Sequence, residues 1–180
     1  MCGIAGLYYP AIAKPVDPAR IVQMRDALAH RGPDGAGVWT APGVGLGHRR
    51  LSIIDLEGGV QPMATPDQGV VVTYNGEIYN FREVRAELEA KGARFQTESD
   101  TEVLLHGWRA WGPGLLEKLN GMFAFALYDA EKQSLFLARL EKSTSHQRTG
   151  CGMRLPRWSS RKWPAGSFLT PTSKEASSGT

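Results

Sequence analysis

The chain has 180 residues, of which 42% are hydrophobic, enough for one folded domain with or without a tail. Its net charge of +3 is unevenly distributed, since residues 1–139 hold 14 basic and 16 acidic side chains whereas residues 140–180 hold 7 and 2. The excess positive charge therefore gives no reason to expect that the body of the chain binds nucleic acid, and no apolar run approaches the roughly 18 residues of a membrane-spanning helix.

The first half of the chain predicts short strands around one helix. An apolar strand is expected over residues 4–9, and Asp17 followed by Pro18 is typical of a helix N-terminus, with the helix ending at the turn-forming residues 31–35. Alternating glycines at residues 43–47 predict a crowded backbone within a sheet, because no Gly-Lys-Ser/Thr follows to make a phosphate loop. The remaining residues predict strands at 37–40, 44–48, 51–54 and 70–74, and a loop at 56–66.

Two helices and a strand pair are predicted next. Each helix begins with a capping residue that has a glutamate three residues later, and each ends at a glycine: Asn80 with Glu83 and Gly92, and Ser99 with Glu102 and Gly112. Residues 122–129 and 134–139 then predict two adjacent strands. The order of strands, helices and strands indicates an α+β layered domain.

The pattern changes at residue 140. Residues 140–180 contain 13 serines or threonines and show no sustained hydrophobic period. Trp158 and Trp163 lie among arginines without an apolar face to join. This composition is typical of a disordered tail. We therefore predict a domain over residues 2–139, followed by a basic, Ser/Thr-rich tail over residues 140–180.

Cys2 directly follows the initiator methionine. Taken alone, it is more typical of a small buried apolar residue than of a nucleophile. If Met1 is removed, however, Cys2 carries a thiol and a free α-amine on one residue, which places a nucleophile beside a possible base. The other cysteine is Cys151, and so few cysteines, with no secretory signal, favour a cytoplasmic location. The four histidines lack metal-ligand spacing, so no metal site is predicted.

Six segments carry a resemblance to a known family: Cys2–Gly6 (CGIAG), His30–Gly35 (HRGPDG), Arg50–Asp55 (RLSIID), Tyr74–Asn80 (YNGEIYN), Thr97–Glu102 (TESDTE) and Gly121–Ala126 (GMFAFA). In this order they closely resemble the glutaminase domain of asparagine synthetases, a class II glutamine amidotransferase of the N-terminal-nucleophile hydrolase superfamily. The resemblance covers about residues 1–139. It implies an αββα sandwich, in which two antiparallel sheets lie between helical layers, with the C-terminal part incomplete. The related amidotransferase domains that serve phosphoribosylamine, glucosamine-phosphate or glutamate synthesis match the sequences of these segments less closely.

The resemblance implies hydrolysis of the glutamine side-chain amide to glutamate and ammonia. Cys2 is then the nucleophile and carries a γ-glutamyl thioester. The oxyanion of the tetrahedral intermediate is stabilised by the Asn75 side chain and the Gly76 backbone N–H. The dipeptide Asn75-Gly76 is also the strongest short-range signal of a hairpin turn, so a turn remains the alternative at this position.

The resemblance also implies a set of residues that bind glutamine. Arg50 would hold the α-carboxylate, and Asp100, with Glu77 nearby, would receive the α-ammonium group. Leu51, Ser52, Ile53 and Ile54 would shape the pocket wall, and the segment His30–Gly35 would lie near the site without a chemical role. The alternatives are a surface cation at Arg50 and a helix-start acid at Asp100.

After Arg139 the chain departs from the family pattern. The family continues with an Asp-Arg-x-Gly segment, further strands and a synthetase domain with a Ser-Gly-Gly-x-Asp-Ser loop for ATP. Here Leu140-Glu141-Lys142-Ser143 follows instead. An out-of-frame read or a natural truncation is therefore the hypothesis for residues 140–180.

The resemblance also sets the expected cofactors and partners. No cofactor is expected for this chain, because ATP and Mg belong to the synthetase domain. The expected partners are glutamine and either a separate synthetase domain or a second copy of the chain, without nucleic acid or membrane. A non-catalytic truncated remnant or interaction module of an asparagine synthetase-like protein remains the alternative.

Overall fold

The computed structural model describes residues 2–9, 15–51 and 59–140. Its strands and helices are, in chain order, β1 (Gly3–Tyr8), α1 (Pro18–Asp26), β2 (Gly35–Ala41), β3 (Val44–Arg50), β4 (Met63–Ala64), β5 (Val70–Ile78), α2 (Phe81–Ala90), α3 (Asp100–Trp111), β6 (Gly121–Asp129) and β7 (Ser134–Leu140). Two 3-10 segments, Ala29–Arg31 and Gly112–Lys118, precede β2 and β6. None of the helices in these ranges has the length and apolar character needed to cross a membrane.

The strands form two antiparallel sheets. The first sheet has the order β1-β3-β2 and the second has the order β4-β5-β6-β7. Helix α1 packs on the outer side of the first sheet, α3 packs on the second with α2 beside it, and β1 and β3 lie against β5 between the layers. The αββα layering predicted from the resemblance is therefore confirmed.

Alternation along β3 explains how the first sheet joins both of its neighbours. Val44 and Leu46 pack against the second sheet in a buried apolar cluster. The alternate residues, Gly45 and Gly47, face the helix, and a Cβ atom at Gly45 would lie 2.7 Å from the Ile21 side chain of α1. The expected crowding of a glycine-rich sheet is confirmed, because a larger residue at Gly45 would push α1 away from the strand.

The main apolar core lies between the second sheet and the helices α2 and α3. It contains side chains from β5, β6 and both helices, including Tyr74, Ile78, Leu88, Leu104 and Phe125. Burial of this surface is the dominant favourable contribution to folding. The core holds the C-terminal half of β5 against the beginning of α3, which is where the candidate site lies.

Two of the predicted helix caps are confirmed. The Asp17 carboxylate accepts a hydrogen bond of 2.9 Å from the Ala19 amide, and the Ser99 hydroxyl accepts one of 3.2 Å from the Thr101 amide. Helix α3 ends as predicted at Gly112, whose φ is +55°. The first helix is shorter than predicted, since α1 ends at Asp26 and only a 3-10 turn follows.

The helix start predicted at Asn80 is confirmed, but the side chains of Asn80 and Glu102 do not make the capping interactions expected of them. Asn80 precedes α2, but its side chain accepts from the Asn120 amide and donates to the Lys118 carbonyl, both at 2.8 Å, and so ties this end of β5 to β6. Glu102 accepts from the amides of Gln96 and Thr97, each at 2.8 Å. Its carboxylate therefore fixes the loop that leads into α3.

Three strand predictions need correction. Strand β5 continues through Asn75 and Gly76, which pair with Ala124 and Phe123 of β6, so a hairpin turn there is wrong. The predicted loop at 56–66 contains the short strand β4. Leu51 lies just beyond β3, outside any strand, and the rest of the strand predicted at 51–54 falls outside the described residues, as do residues 141–180.

Candidate functional site

Cys2 lies one residue before β1, where β3 ends. Its half-buried thiol accepts a hydrogen bond from the Leu51 amide at 3.3 Å, and the sulfur is 3.6 Å from the Leu51 carbonyl oxygen. On its other side the Cys2 carbonyl accepts a 3.2 Å hydrogen bond from Arg31 Nε. Cys2 is therefore held between the end of β3, which contacts its thiol, and the segment that follows α1, which contacts its carbonyl.

That segment, His30–Gly35, also holds the end of β3. A Cβ atom at Gly32 would lie 2.4 Å from the Arg49 carbonyl carbon and 2.7 Å from the Arg50 nitrogen, so only glycine fits there. The Asp34 amide donates to the Arg50 carbonyl at 3.0 Å. The segment thus positions Cys2 and the backbone of Arg50 together, a structural role that the sequence did not reveal.

Alternate backbone amides of β5 point away from β6. The Tyr74 amide donates to Gln61 Oε1 at 2.6 Å, and the Ile78 amide donates to Asp100 Oδ2 at 3.2 Å. Because N–H groups two residues apart on a strand point to the same side, the Gly76 N–H points the same way, between these two. Strand β4 pairs only with earlier residues of β5, so it does not cover this part of the edge.

The conformation at Gly76 requires glycine. Its φ is +156°, and a Cβ atom would lie 2.2 Å from the Met122 carbonyl oxygen and 2.5 Å from Phe123 Cα. The preceding residue, Asn75, is half-buried. Since successive side chains of a strand point to opposite faces and Tyr74 lies in the helix-side core, Asn75 faces the first sheet, where Cys2 lies.

Asp100 begins α3 and is only 5% exposed. Its Oδ2 atom accepts hydrogen bonds from the Tyr74 hydroxyl at 2.7 Å and from the Ile78 amide. Burial raises the pKa of the Asp100 carboxyl, the hydrogen bonds from Tyr74 and Ile78 oppose that rise, and the charge of Glu77 adds to it. The result is a buried carboxyl group whose pKa lies above its ordinary value.

The pKa of Tyr74 is influenced by acidic groups from three different parts of the chain. Burial is the largest cause of its raised pKa, followed by the negative charge of Asp100, with further contributions from Glu77 and Cys2. These three acidic groups come from α3, β5 and the residue before β1. The fold therefore brings together side chains that are up to 98 positions apart in the sequence.

Arg50 is the last residue of β3 and is half-buried. By alternation it shares a face with His48, which is fully buried and whose Nδ1 lies 3.1 Å from the Thr73 hydroxyl of β5. Burial, and then the charge of Arg50, lowers the pKa of His48 to about 4. The neutral imidazole of His48 thus links β3 of the first sheet to β5 of the second, on the same face of β3 as Arg50.

Most of the sequence-predicted residues fall at this one end of the sandwich. They are Cys2, Arg50 and Leu51 at the ends of β1 and β3, Asn75, Gly76 and Glu77 on β5, and Asp100 on α3. Ser52, Ile53 and Ile54 lie outside the described residues. Within the described ranges, no group of three His, Cys, Asp or Glu side chains is arranged to hold a metal ion.

Three further residues were missed by sequence reasoning. They are Arg31, which binds the Cys2 carbonyl, Gln61, which binds the Tyr74 amide, and Tyr74 itself, which binds Asp100. Arg31 and Tyr74 lie within two of the segments that resemble the family, so their location in those segments could have marked them as site residues. Gln61 stands in a predicted loop, where nothing in the local sequence marked it.

A separate groove of about 360 Å³ lies between β4 and α3. Its polar lining includes Thr65, Thr97, Glu102, His106 and Arg109. Several of these groups bind one another, since Glu102 accepts from Thr97 and lies 3.3 Å from His106 Nε2. None of the predicted site residues lines this groove, so the chemistry is expected at the other location.

Residues 1–142 match the family described as "Glutamine amidotransferase domain". The chain is 44% identical over 141 residues to asparagine synthetase [glutamine-hydrolyzing] 3 of Bacillus subtilis, covering 77% of this chain and 23% of that protein. It is 39% identical over 139 residues to asparagine synthetase B [glutamine-hydrolyzing] of Escherichia coli, covering 77% and 25%. The chain thus spans about a quarter of the length of these curated relatives.

Two solved structures share the fold. Glutamine phosphoribosylpyrophosphate amidotransferase from B. subtilis, complexed with ADP and GMP, has a TM-score of 0.59 and 23% identity. A structure described as the allosteric regulatory enzyme of purine biosynthesis has a TM-score of 0.61 and 22% identity. Each comparison covers 77% of this chain and 37% of the other. The described residues therefore share the sandwich fold of these two structures.

Proposed function

The chain belongs to the glutamine amidotransferase domain family, and we propose that it hydrolyses the side-chain amide of glutamine to glutamate and ammonia, with Cys2 as the nucleophile. The observation that carries this proposal is the edge of β5 beyond Val72, which no other strand of the described residues covers and where the Gly76 amide lies between two occupied amides. It is an oxyanion donor on a rigid strand. The thiol of Cys2 and the guanidinium group of Arg50 belong to the facing sheet.

Activation of the thiol begins with removal of Met1, which gives Cys2 a free α-amine. An ordinary α-amine has a pKa near 7.7–8, so about a tenth of such groups are neutral at pH 7. The neutral amine takes the thiol proton as the sulfur attacks the side-chain carbonyl carbon of glutamine. The Leu51 amide, which already donates to the sulfur at 3.3 Å, stabilises the thiolate as its charge develops.

The tetrahedral intermediate carries its negative charge on the former amide oxygen. The Gly76 N–H and the Asn75 side-chain amide donate to that oxygen, and loss of such a donor typically costs about 3 kcal/mol of transition-state stabilisation. The intermediate collapses when the C–N bond breaks and the departing ammonia takes the proton held by the α-amine. A γ-glutamyl thioester remains on Cys2. Attack by water then releases glutamate and returns the proton to the sulfur.

Recognition of free glutamine depends on its two charged α-substituents. Arg50 binds the α-carboxylate, for which the planar guanidinium fork gives a bidentate match. Asp100 and Glu77 receive the α-ammonium group. The positive charge of the substrate favours the ionised form of the buried Asp100 carboxyl, whose pKa burial otherwise raises. A glutamine within a peptide chain lacks both charges and is excluded.

The relatives' names identify them as asparagine synthetases, and the acceptor of the ammonia follows from that likeness. We propose that the ammonia serves amide synthesis on a separate synthetase domain. In the absence of such a partner, the chain should release ammonia and glutamate into solution in equal amounts.

The test is a glutaminase assay on the full chain with both products measured. Cys2→Ala should abolish release of glutamate and ammonia, whereas Cys151→Ala, which changes the other cysteine, should leave both rates at the wild-type level. The proposal is wrong if Cys2→Ala retains activity. It is equally wrong if a folded wild-type chain that begins at Cys2 releases no glutamate, the result expected of a non-catalytic remnant.

A further inference from the structure

Tyr74 combines a core position with a polar contact to the site. Its side chain is 3% exposed and packs in the cluster between the second sheet and the helices. Its hydroxyl nevertheless donates to Asp100 Oδ2 at 2.7 Å. The same oxygen accepts from the Ile78 amide, so two groups of β5 fix one oxygen of a carboxylate that belongs to α3.

A second connection runs beside the first. Gln61 Oε1 accepts from the Tyr74 amide at 2.6 Å, and Gln61 Nε2 donates to the Thr101 hydroxyl at 3.2 Å. Gln61 and Thr101 are both buried. Residue 74 is therefore joined to the first two residues of α3 through its hydroxyl and through its backbone. Since the Gly76 amide is two residues further along the same strand, these contacts set its position relative to Asp100.

The same contacts influence the charge of Asp100. Burial favours the neutral carboxyl group, and Glu77 adds to that tendency, whereas the Tyr74 hydroxyl and the Ile78 and Thr101 amides favour the carboxylate. Only the carboxylate can pair with an ammonium group. Removal of the Tyr74 hydroxyl would therefore both release the orientation of Asp100 and favour its uncharged form.

We infer that Tyr74 is a positioning residue that sets the selectivity of the site for a substrate bearing an α-ammonium group. This inference rests on the proposed glutamine hydrolysis and on Asp100 as the partner of the ammonium. Tyr74 itself does not touch glutamine. It acts through the orientation and charge of Asp100, beside the oxyanion donor Gly76.

The experiment compares glutamine with 5-amino-5-oxopentanoate, which has the same amide and carboxylate but no α-amine. Tyr74→Phe should lower kcat/KM for glutamine about tenfold, mainly by raising KM, because a hydrogen bond to a charged group is lost. It should leave kcat/KM for the desamino compound unchanged. Tyr128→Phe is the matched control, since Tyr128 is a buried tyrosine of the adjacent strand β6, and it should change neither value.

If Tyr74→Phe lowers kcat/KM equally for both substrates, Tyr74 only supports the fold and the inference is overturned. The inference is also overturned if Tyr74→Phe changes kcat/KM for neither substrate. If Tyr74→Phe does not fold, Thr101→Val takes its place, because it removes the hydrogen bond between Gln61 and Thr101. It should lower the ratio of kcat/KM for glutamine to kcat/KM for the desamino compound about threefold, and an unchanged ratio overturns the inference.

Failure of the inference can be separated from failure of the proposed function by calorimetric binding in a Cys2→Ala background, where no turnover is expected. Addition of Tyr74→Phe should weaken glutamine binding about tenfold without affecting the desamino compound. This result would support the role of Tyr74 even if the wild-type chain released no glutamate. Absence of glutamine binding, or binding unaffected by Tyr74→Phe, would overturn the inference.

Discussion

His48 makes the stability of this fold depend on pH. The residue is fully buried between the two sheets, and burial and the Arg50 charge lower its pKa from 6.5 to about 4. Its Nδ1 lies 3.1 Å from the Thr73 hydroxyl, and among the described residues its Nε2 atom has no hydrogen-bond partner. The folded state therefore holds a neutral imidazole over a pH range in which the unfolded chain binds a proton.

The magnitude follows from the two pKa values. Because the pKa of His48 is lower in the folded state, its contribution to stability is present above pH 6.5 and is lost as the pH falls toward 4. One pKa unit corresponds to about 1.4 kcal/mol. The free energy of unfolding should therefore fall by about 2 kcal/mol between pH 7 and pH 5 because of this residue alone, and by about 3 kcal/mol at pH 4.

The assay is urea unfolding at pH 7 and pH 5. The fall in the free energy of unfolding should be about 2 kcal/mol smaller in His48→Gln than in the wild-type chain. His30→Gln, at an exposed histidine, should match the wild type. The reasoning is refuted if His48→Gln keeps the wild-type pH dependence. An NMR titration of the wild-type chain gives a second check that needs no variant, since a pKa of His48 near 6.5 would also refute it.

Two substitutions test the site geometry. Gly76→Ala should lower the free energy of unfolding by about 3 kcal/mol in a urea melt, because the new Cβ would lie 2.2 Å from the Met122 carbonyl oxygen. Gly92→Ala, at a positive φ of +94° but with open space around it, should cost only about 1 kcal/mol, and equal costs would contradict the clash. Arg50→Lys should raise KM for glutamine about tenfold in the glutaminase assay, because the bidentate contact is lost. Arg82→Lys, on the exposed side of α2, should leave KM unchanged. Equal KM values in the two variants would contradict this role of Arg50.

Local sequence patterns predicted most elements because their information is local. The cap at Asp17, the cap at Ser99 and the glycine stop at Gly112 depend on residues within one helical turn, and all three are present. The Asn75-Gly76 dipeptide shows where this reasoning fails. Its local preference for a turn is overridden by pairing with Ala124 and Phe123 of β6, which lie 49 and 47 positions away in the sequence, and a local pattern does not contain that pairing.

In the candidate site, too, some residues were predicted from the sequence and others were identified only by the structure. Family resemblance named Cys2, Arg50 and Asp100 as candidate site residues, because their segments are recognisable in order. It did not reveal the residues that hold them, since Arg31 reaches Cys2 across 29 positions and Tyr74 reaches Asp100 across 26. Such contacts are set by the stacking of the two sheets and α3. Only the folded structure identifies them.

The central claim is that Cys2, as the N-terminal residue, attacks the side-chain carbonyl of glutamine. It is tested most directly by intact-mass analysis of the full chain after incubation with the electrophilic glutamine analogue 6-diazo-5-oxo-norleucine, followed by peptide mapping. We expect loss of Met1, a single adduct located on Cys2, and no adduct in Cys2→Ala. Retention of Met1 on the folded chain, an adduct on Cys151, or no adduct at all would contradict the account.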